Sequence, residues 1–472
     1  MRSFYSSLLV AVLLGLPVSP LSHVHQQNYV AFTHVSVIDA TGAPAKPDMT
    51  VVIVGDRIAE IGKTGEVFLP ERAQVIDATG KFLIPGLWDM HVHLLSKERV
   101  EIFFPLLVAN GITGVREMGS PPEELENIKE WRKQIAEGTL IGPRFVASGP
   151  MVDGPKPMFP DISVAVGNEA EGRRAVNTLR ARGADFIKVY SLLPRATYFA
   201  IADETKRQSI PFAGHVPDEV SPAEASEAGQ KSIEHLSGIR LACSTSEDEL
   251  RKQLVDARAK SDPALVYQAL SQINTKGGQT YSNEKAEALF AVFVKNSTWQ
   301  VPTLVVAWAV ASVRDSKVKP VPSARGQTSK KRSGRWQYDT TTDSLTLLQA
   351  ESLNAFDLAS AMHRAGVQFM TGTDAPNPWL LPGPSLHEEL SLLVLIGFTP
   401  MEALQAATRN PAKYLGMLDS LGTVEAGKIA DLVLLEANPL ENIGNTSRIS
   451  AVVLRGRFIP KAELKQVFAE AL

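Results

Sequence analysis

Cysteine is nearly absent from this chain: Cys243 is the single example in 472 residues. That scarcity excludes an internal disulfide framework and every metal site built from clustered thiolates. A surplus of positive charge is missing too, with 48 Lys and Arg against 51 Asp and Glu and a formal net charge of −3. Nucleic acid is therefore not expected as a partner, because phosphate binding needs a basic excess. The hydrophobic and charged fractions, 44% and 21%, exclude a polytopic membrane protein and a largely disordered chain. At roughly 150 residues per domain the length allows about three domains, although an α/β barrel can take about 250 residues by itself.

Residues 1–27 carry an address. Arg2 gives a short positive start, Leu8 to Val18 form an apolar run, and small residues follow at Ser19 and Ser22. This is the layout of a secretory signal peptide, and the run is shorter than the ~20 residues that cross a bilayer. The expectation is an exported protein, periplasmic or secreted, with no stable membrane span after cleavage. An uncleaved anchor or a buried first helix is the bland alternative. His23 and His25 fall in this flank and are not expected in any site.

Both ends of the remaining chain read as β-structure. HVSVIDATG, MTVVIVGDRIAEIG, GKIADLVLLEANP and ISAVVLRGRFIP are apolar runs with turn residues, including tight-hairpin signals at Gly55-Asp56 and Arg455-Gly456. Each end is too short for a stable sheet of its own, so the two are expected to pair. Residues 28–82 and 417–472 would then form one composite β-sandwich domain.

The middle, 83–416, alternates short apolar runs with charged helical stretches. The runs are FLIPGLWDMHVHL, GITGVREMG, RFVASG, DFIKVYSLL, IPFAGHV, SIEHLSG, WQVPTLVV and VQFMTGTDA, eight in all. PPEELENIKEWRKQIAEG and NEAEGRRAVNTLRARG between them carry helical periodicity and end at glycine. The predicted fold is α/β, a (β/α)8 TIM-type barrel carrying the small composite β domain. In such a barrel the strand ends meet on one rim. His91 and His93 in run one, Lys188 in run four, His215 in run five, His235 in run six and Asp374 in run eight would converge there.

Residues two apart on a strand share a face, so His91 and His93 can reach one ion. An H-x-H pair alone is a weak signal, and His215 or His235 alone is more often a core histidine. Together they make a four-imidazole cluster without thiolates, the composition of an open catalytic site for zinc or a similar divalent metal. A lysine inside a buried run is costly unless it is paired, modified or snorkels to solvent. Asp374 reads either as a turn residue or as a ligand that also accepts a proton.

These segments resemble the amidohydrolase superfamily: PGLWDMHVHL its opening metal motif, GHV and SIEHLSG the next two histidine segments, and MTGTDAP the closing aspartate segment. NPAKYLGMLDSLGTVEAGKIADLVLLEANPLENI resembles the exit into that family's β-sandwich. The chain is most similar to the imidazolonepropionase-related group that includes Xaa-Pro dipeptidases. Imidazolonepropionases themselves use one metal and lack the strand-four lysine, which is present here as Lys188. The resemblance implies two divalent ions, zinc by default. His91, His93 and Asp374 would hold one, His215 and His235 the other, and a CO2-carboxylated Lys188 would bridge both. It further implies cleavage of an amide C–N bond by a metal-bridged hydroxide, with Asp374 as proton shuttle.

The implied substrate is a small molecule with an amide bond, a dipeptide or N-acyl amino acid. A cyclic amide or an amide-linked xenobiotic such as a mycotoxin is the alternative. A ligand-binding protein on a retained barrel is the non-enzymatic one, and a homo-oligomer is compatible with the resemblance. For substrate contacts, Tyr190 lies two residues after Lys188 and reads either as a hydrogen-bond donor to substrate or as a packed barrel tyrosine. Arg116 and His387 are further rim candidates, His387 more as a helix-packing residue; His363 and His34 read as structural. The basic segment 313–345 reads as an insertion near the rim, either a solvated loop or a lid.

Overall fold

The computed structural model describes residues 29–258, 263–312, 354–377 and 379–471. Both the expected signal segment 1–27 and the basic insertion 313–345 lie outside the described residues. Among the described residues no helix is long and apolar enough to cross a membrane.

The N-terminal portion forms β1 (Tyr29–Val37), β2 (Lys46–Val54), β3 (Arg57–Lys63), β4 (Gln74–Asp77) and β5 (Phe82–Pro85). Nine short strands follow in the middle: β6 (Leu87–Val92), β7 (Ile112–Glu117), β8 (Arg144–Ala147), β9 (Met151–Asp153), β10 (Ser163–Ala165), β11 (Ile187–Val189), β12 (Phe212–Gly214), β13 (Ser232–Glu234) and β14 (Trp299–Val301). The chain ends with β15 (Leu432–Leu435), β16 (Ile449–Leu454), β17 (Arg457–Pro460) and the helix Lys461–Ala471.

The two ends pair. One eight-stranded sheet runs β17-β16-β15-β5-β1-β2-β3, with β4 added on β1, and the join is the antiparallel pair β5–β15. The sheet is continuous rather than two separate layers. It curls so that Phe32 of β1 meets Phe458 of β17 at 5.8 Å between ring centroids, enclosing a core that includes Ile53, Leu83, Leu432 and Val453. Phe82–Pro85 belongs to this sheet, so the change from end sheet to middle falls a few residues later than residue 82.

Both expected hairpins form, with Val54 paired to Arg57 and Leu454 to Arg457. Arg455 and Gly456 both take positive φ, 50° and 78°, the backbone that a two-residue turn between twisted strands requires. The two hairpin tips touch. A Cβ on Gly456 would lie 1.8 Å from the Gly55 carbonyl oxygen, so only glycine fits there.

The middle strands are parallel, in the sheets β6-β7-β8 and β10-β9-β11-β12-β13-β14. β6 and β7 are buried along their whole length, which accounts for apolar runs without alternation. The segment 367–375, the eighth run, joins the two sheets. Met370 N–H donates to the Gln300 carbonyl (2.9 Å), and Met90 and His93 N–H donate to Thr371 and Ala375 carbonyls (2.9 Å each). On the other side, Asp185 N–H donates to the Ala147 carbonyl at 2.8 Å. Helices lie between the strands. Glu169–Arg182 starts at Asn168, whose side chain accepts from Glu171 N–H, and ends at Gly183 with φ 101°.

Two features depart from the eight-run reading. β9 and β10 are additional strands after β8. Run seven is a strand only over Trp299–Val301, and its tail enters the helix Leu304–Ser312. Pro302 has no N–H for the ladder, Thr303 turns at φ 48°, and the buried carboxylate of Glu389 accepts the Leu304 and Val305 N–H groups at 3.1 and 2.7 Å, capping the helix.

Candidate metal centre

His91 is the penultimate residue of β6, and His93 follows directly after the strand ends at Val92. Their Nε2 atoms lie 3.4 and 3.2 Å from the same oxygen, Asp374 Oδ1. His235 follows β13, with Nε2 3.9 Å from Asp374 Oδ2. His215 follows β12, its ring centroid 5.0 Å from that of His235, which in turn is 4.5 Å from that of His91. Lys188 is the middle residue of β11, 1% exposed, with Nζ 5.8 Å from the centroid of Tyr190. The Tyr190 ring lies over His215 at 4.0 Å. All six residues singled out from sequence thus gather, with Tyr190, at the C-terminal ends of the parallel strands.

The imidazoles share one arrangement. Each is engaged at Nδ1: His91 with Glu234 Oε2 (2.8 Å), His93 with the Gly119 carbonyl (2.9 Å), His215 with Ser191 Oγ (2.9 Å) and His235 with Thr303 Oγ1 (2.7 Å). That leaves every Nε2 available. The Nε2 atoms of His91 and His215 are buried with no hydrogen-bond partner among the described residues. Orphaned imidazole nitrogens whose opposite nitrogens are held by carbonyl, hydroxyl or carboxylate are the donor set of a metal site. His91, His93 and Asp374 offer ligand atoms all within 4.8 Å of one another. His215 and His235 lie outside that compact group, with His215 on the Lys188 side. The residues fit a divalent cation of the zinc type, with imidazole and carboxylate and no thiolate.

The local backbone is unusual. His235 and Asp374 both adopt positive φ, 57° and 58°. Such residues cluster at functional sites where surrounding contacts hold them. Here Asp374 N–H donates to the His91 carbonyl at 2.7 Å and His235 N–H to the Val301 carbonyl at 2.9 Å.

Burial dominates the electrostatics. It pushes the imidazoles of His91 and His215 well below the usual histidine range, with nearby Lys188 adding to the effect, so both rings are neutral donors. Burial also pushes Lys188 down to about 8. It works against ionisation of Asp374, but His235, His93 and Lys188 outweigh it and hold that carboxyl below its ordinary value. A cavity of about 380 Å³ opens in front of His93 and Asp374, with Arg99, Glu117 and Phe159 also in its wall.

Arg116 is not a rim residue. It is fully buried within β7 and donates to Glu234, because its side chain points into the interior beneath the site. His387 is also buried, bonded to Thr446 Oγ1 (2.9 Å) and the Asn110 carbonyl (3.2 Å), consistent with helix packing. His363 stacks on Phe398 at 3.7 Å and His34 bonds Asp48, both away from the centre. Sequence reading missed the Nδ1 partners. Glu234, directly before His235, was visible as an acid in a buried run; the Gly119 carbonyl, being main chain, leaves no sequence signal.

Histidines gathered around a half-buried aspartate at strand C-termini make a candidate metal site on a parallel α/β scaffold. The chain belongs to the amidohydrolase family, which it matches over residues 82–252 and 306–459. It is 24% identical to the imidazolonepropionase of Rhizobium rhizogenes over 418 residues, covering 83% of this chain and 88% of that one. It is likewise 24% identical over 423 residues to the ochratoxinase of Aspergillus niger, covering 76% and 71%. Among solved structures, a putative prolidase from Bifidobacterium longum superposes with a TM-score of 0.67 at 24% identity, covering 94% of this chain and 99% of that one.

Proposed function

We propose that this protein is a binuclear metal-dependent hydrolase that cleaves the amide bond of a dipeptide or N-acyl amino acid. The observation that carries the reading is the set of four Nδ1-held imidazoles turned toward Asp374 and the buried Lys188. His91, His93 and Asp374 would hold one ion, His215 and His235 a second, both zinc by default. Lys188 would serve both as a carbamate. Its neutral amine forms an N–C bond to CO2 and releases a proton, which turns a buried cation without an ion pair among the described residues into an anionic ligand.

Bound cations would supply Lewis acidity to the scissile carbonyl and make water more acidic. The chain's own residues do the rest. Asp374 accepts a proton from the attacking water as the C–O bond forms, and returns it to the leaving nitrogen as the C–N bond breaks. Tyr190, half-buried beside His215, would orient the substrate. The reading includes a closed (β/α)8 barrel, supported by the hydrogen bonds on both sides of 367–375. It also includes export, on the pattern of residues 1–27.

Likeness to the ochratoxinase favours a second reading, hydrolysis of an amide-linked xenobiotic at the same centre. The test is one screen. Zinc-loaded protein is assayed on Xaa-Pro and other dipeptides, N-acyl amino acids, cyclic amides and aryl-amide toxins, beside elemental analysis. About two ions per chain and turnover of a dipeptide or N-acyl amino acid are expected. Turnover confined to the toxin amides would replace the first reading with the second, and two bound ions with no amide cleaved would sink both.

A further inference from the structure

Beneath the imidazole cluster lies a charged pair that the proposed reaction does not use. Arg116 in β7 and Glu234 at the end of β13 are both fully buried. The Arg116 Nη2 group donates to both Glu234 oxygens, at 2.9 and 3.0 Å. Nη1 donates to Ser232 Oγ and Tyr414 Oη, both at 2.9 Å, and Nε to the Met90 carbonyl at 2.7 Å. Ser232 Oγ donates in turn to Glu234 Oε1 at 2.5 Å. A well-packed apolar pair in such a place is often as stable as an ion pair or more so, so stability alone does not account for this one.

What the pair reaches does account for it. Glu234 Oε2 is the atom 2.8 Å from His91 Nδ1, and Met90, whose carbonyl Arg116 holds, directly precedes His91. One guanidinium therefore grips His91 twice, through its ring partner and through its backbone. Glu234 and His235 are adjacent and face opposite ways, Glu234 toward Arg116 and His235 toward Asp374.

We propose that Arg116 and Glu234 are positioning residues that fix the tautomer and aim of His91, and so set the affinity of the cation held by His91 and His93 without touching substrate. The proposal rests on the metal reading above. With Glu234 accepting the Nδ1 proton, the His91 Nε2 lone pair is held toward Asp374. Arg116 keeps Glu234 in that pose because both carboxylate oxygens are tied to it. A glutamine in place of Glu234 would have to turn an N–H2 toward either Arg116 or His91, both of them donors.

The test uses full-length wild-type protein, Glu234→Gln and Arg116→Lys, each stripped and reloaded. Zn2+ dissociation constants come from chelator competition, the visible spectrum from the Co2+-substituted form, and thermal midpoints from the metal-free protein. Loss of an outer partner typically weakens metal binding 10–100-fold. One of the two cations should weaken by that factor in both variants, with an altered Co2+ band, while the other stays within about threefold. Tyr414→Phe removes only one bond to Arg116 and should give the same change at smaller size, which serves as the test where the charge variants do not fold. Wild-type affinities and spectra throughout would overturn the proposal. So would equal weakening of both cations in step with a falling metal-free midpoint, the mark of a structural role alone. A wild-type chain that binds no cation would instead sink the metal reading, and this inference with it.

Discussion

His387 gives a quantitative handle on how the middle of the chain is fastened to its C-terminal end. It sits in the helix Pro384–Leu395, and its ring spans from the Asn110 carbonyl, after the helix Lys97–Ala109, to Thr446 in the turn Ile443–Ser447. A neutral ring donates at Nε2 to the Asn110 carbonyl, with Nδ1 beside the Thr446 hydroxyl, whose proton it shares with the Ile443 carbonyl 2.8 Å from that oxygen. Burial pushes its pKa from 6.5 down to about 4. Between those values the unfolded chain binds a proton that the folded chain refuses, so stability falls as pH falls from 6.5 toward 4 and is flat above. At 1.36 kcal/mol per pH unit the full effect is about 3 kcal/mol, of which about 2.5 is expressed by pH 4.5. In His387→Gln this contribution vanishes. The variant should be less stable than wild type at pH 7 by about 1–3 kcal/mol, through lost hydrogen bonds. The gap should shrink by about 2.5 kcal/mol at pH 4.5. Urea unfolding of metal-free protein at the two pH values measures it. A wild-type-minus-variant difference independent of pH would refute a neutral buried ring at this position.

Asp374→Asn should keep the fold by circular dichroism and lose about 10²–10⁴-fold in kcat if Asp374 moves the proton; near-wild-type kcat with metal bound would remove that role. Lys188→Met should lower the metal content below two ions per chain while leaving the metal-free protein folded, read by elemental analysis; two ions with unchanged turnover would exclude the carbamate. Gly214→Ala places a Cβ 2.1 Å from the Val189 carbonyl oxygen and 3.0 Å from Lys188 Cδ, at φ 139°. Strand β12 must then move off β11, with a stability loss of about 3 kcal/mol or more and weakened metal binding; a wild-type thermal midpoint would contradict that packing.

How much of this was legible depends on where the information is stored. The candidate ligand residues could be read because each is a polar side chain interrupting an apolar run, toward the same end of successive strands. The hairpins could be read because Gly55-Asp56 and Arg455-Gly456 carry their own backbone preference. The hidden parts depend on tertiary approach. Ser191 and Thr303 are ordinary loop hydroxyls until His215 and His235 fold against them. Arg116 read as a rim residue because it sits near the end of a strand, but a long side chain can reach inward as readily as outward. Once Glu234 supplies a buried carboxylate, inward is the better-solvated direction for its charge. β9 and β10 were missed because they sit among Gly149, Pro150, Gly154, Pro155, Pro157 and Pro160, which read as loop.

The site is held by strand pairing as much as by side chains. Asp374 and His235 occupy backbone conformations that cost energy in isolation, yet each donates its N–H to a neighbouring strand, Asp374 to His91 itself. Asp89 adds a cross-tie, accepting the N–H groups of His91 at 3.3 Å and Thr373 at 3.0 Å on one oxygen and the Thr373 hydroxyl at 2.6 Å on the other. The first and last ligand segments are thus locked to each other by main-chain and carboxylate bonds that involve no cation. The four Nδ1 tethers then fix the rings on that frame. Rings tethered in this way would lose little side-chain freedom on binding an ion.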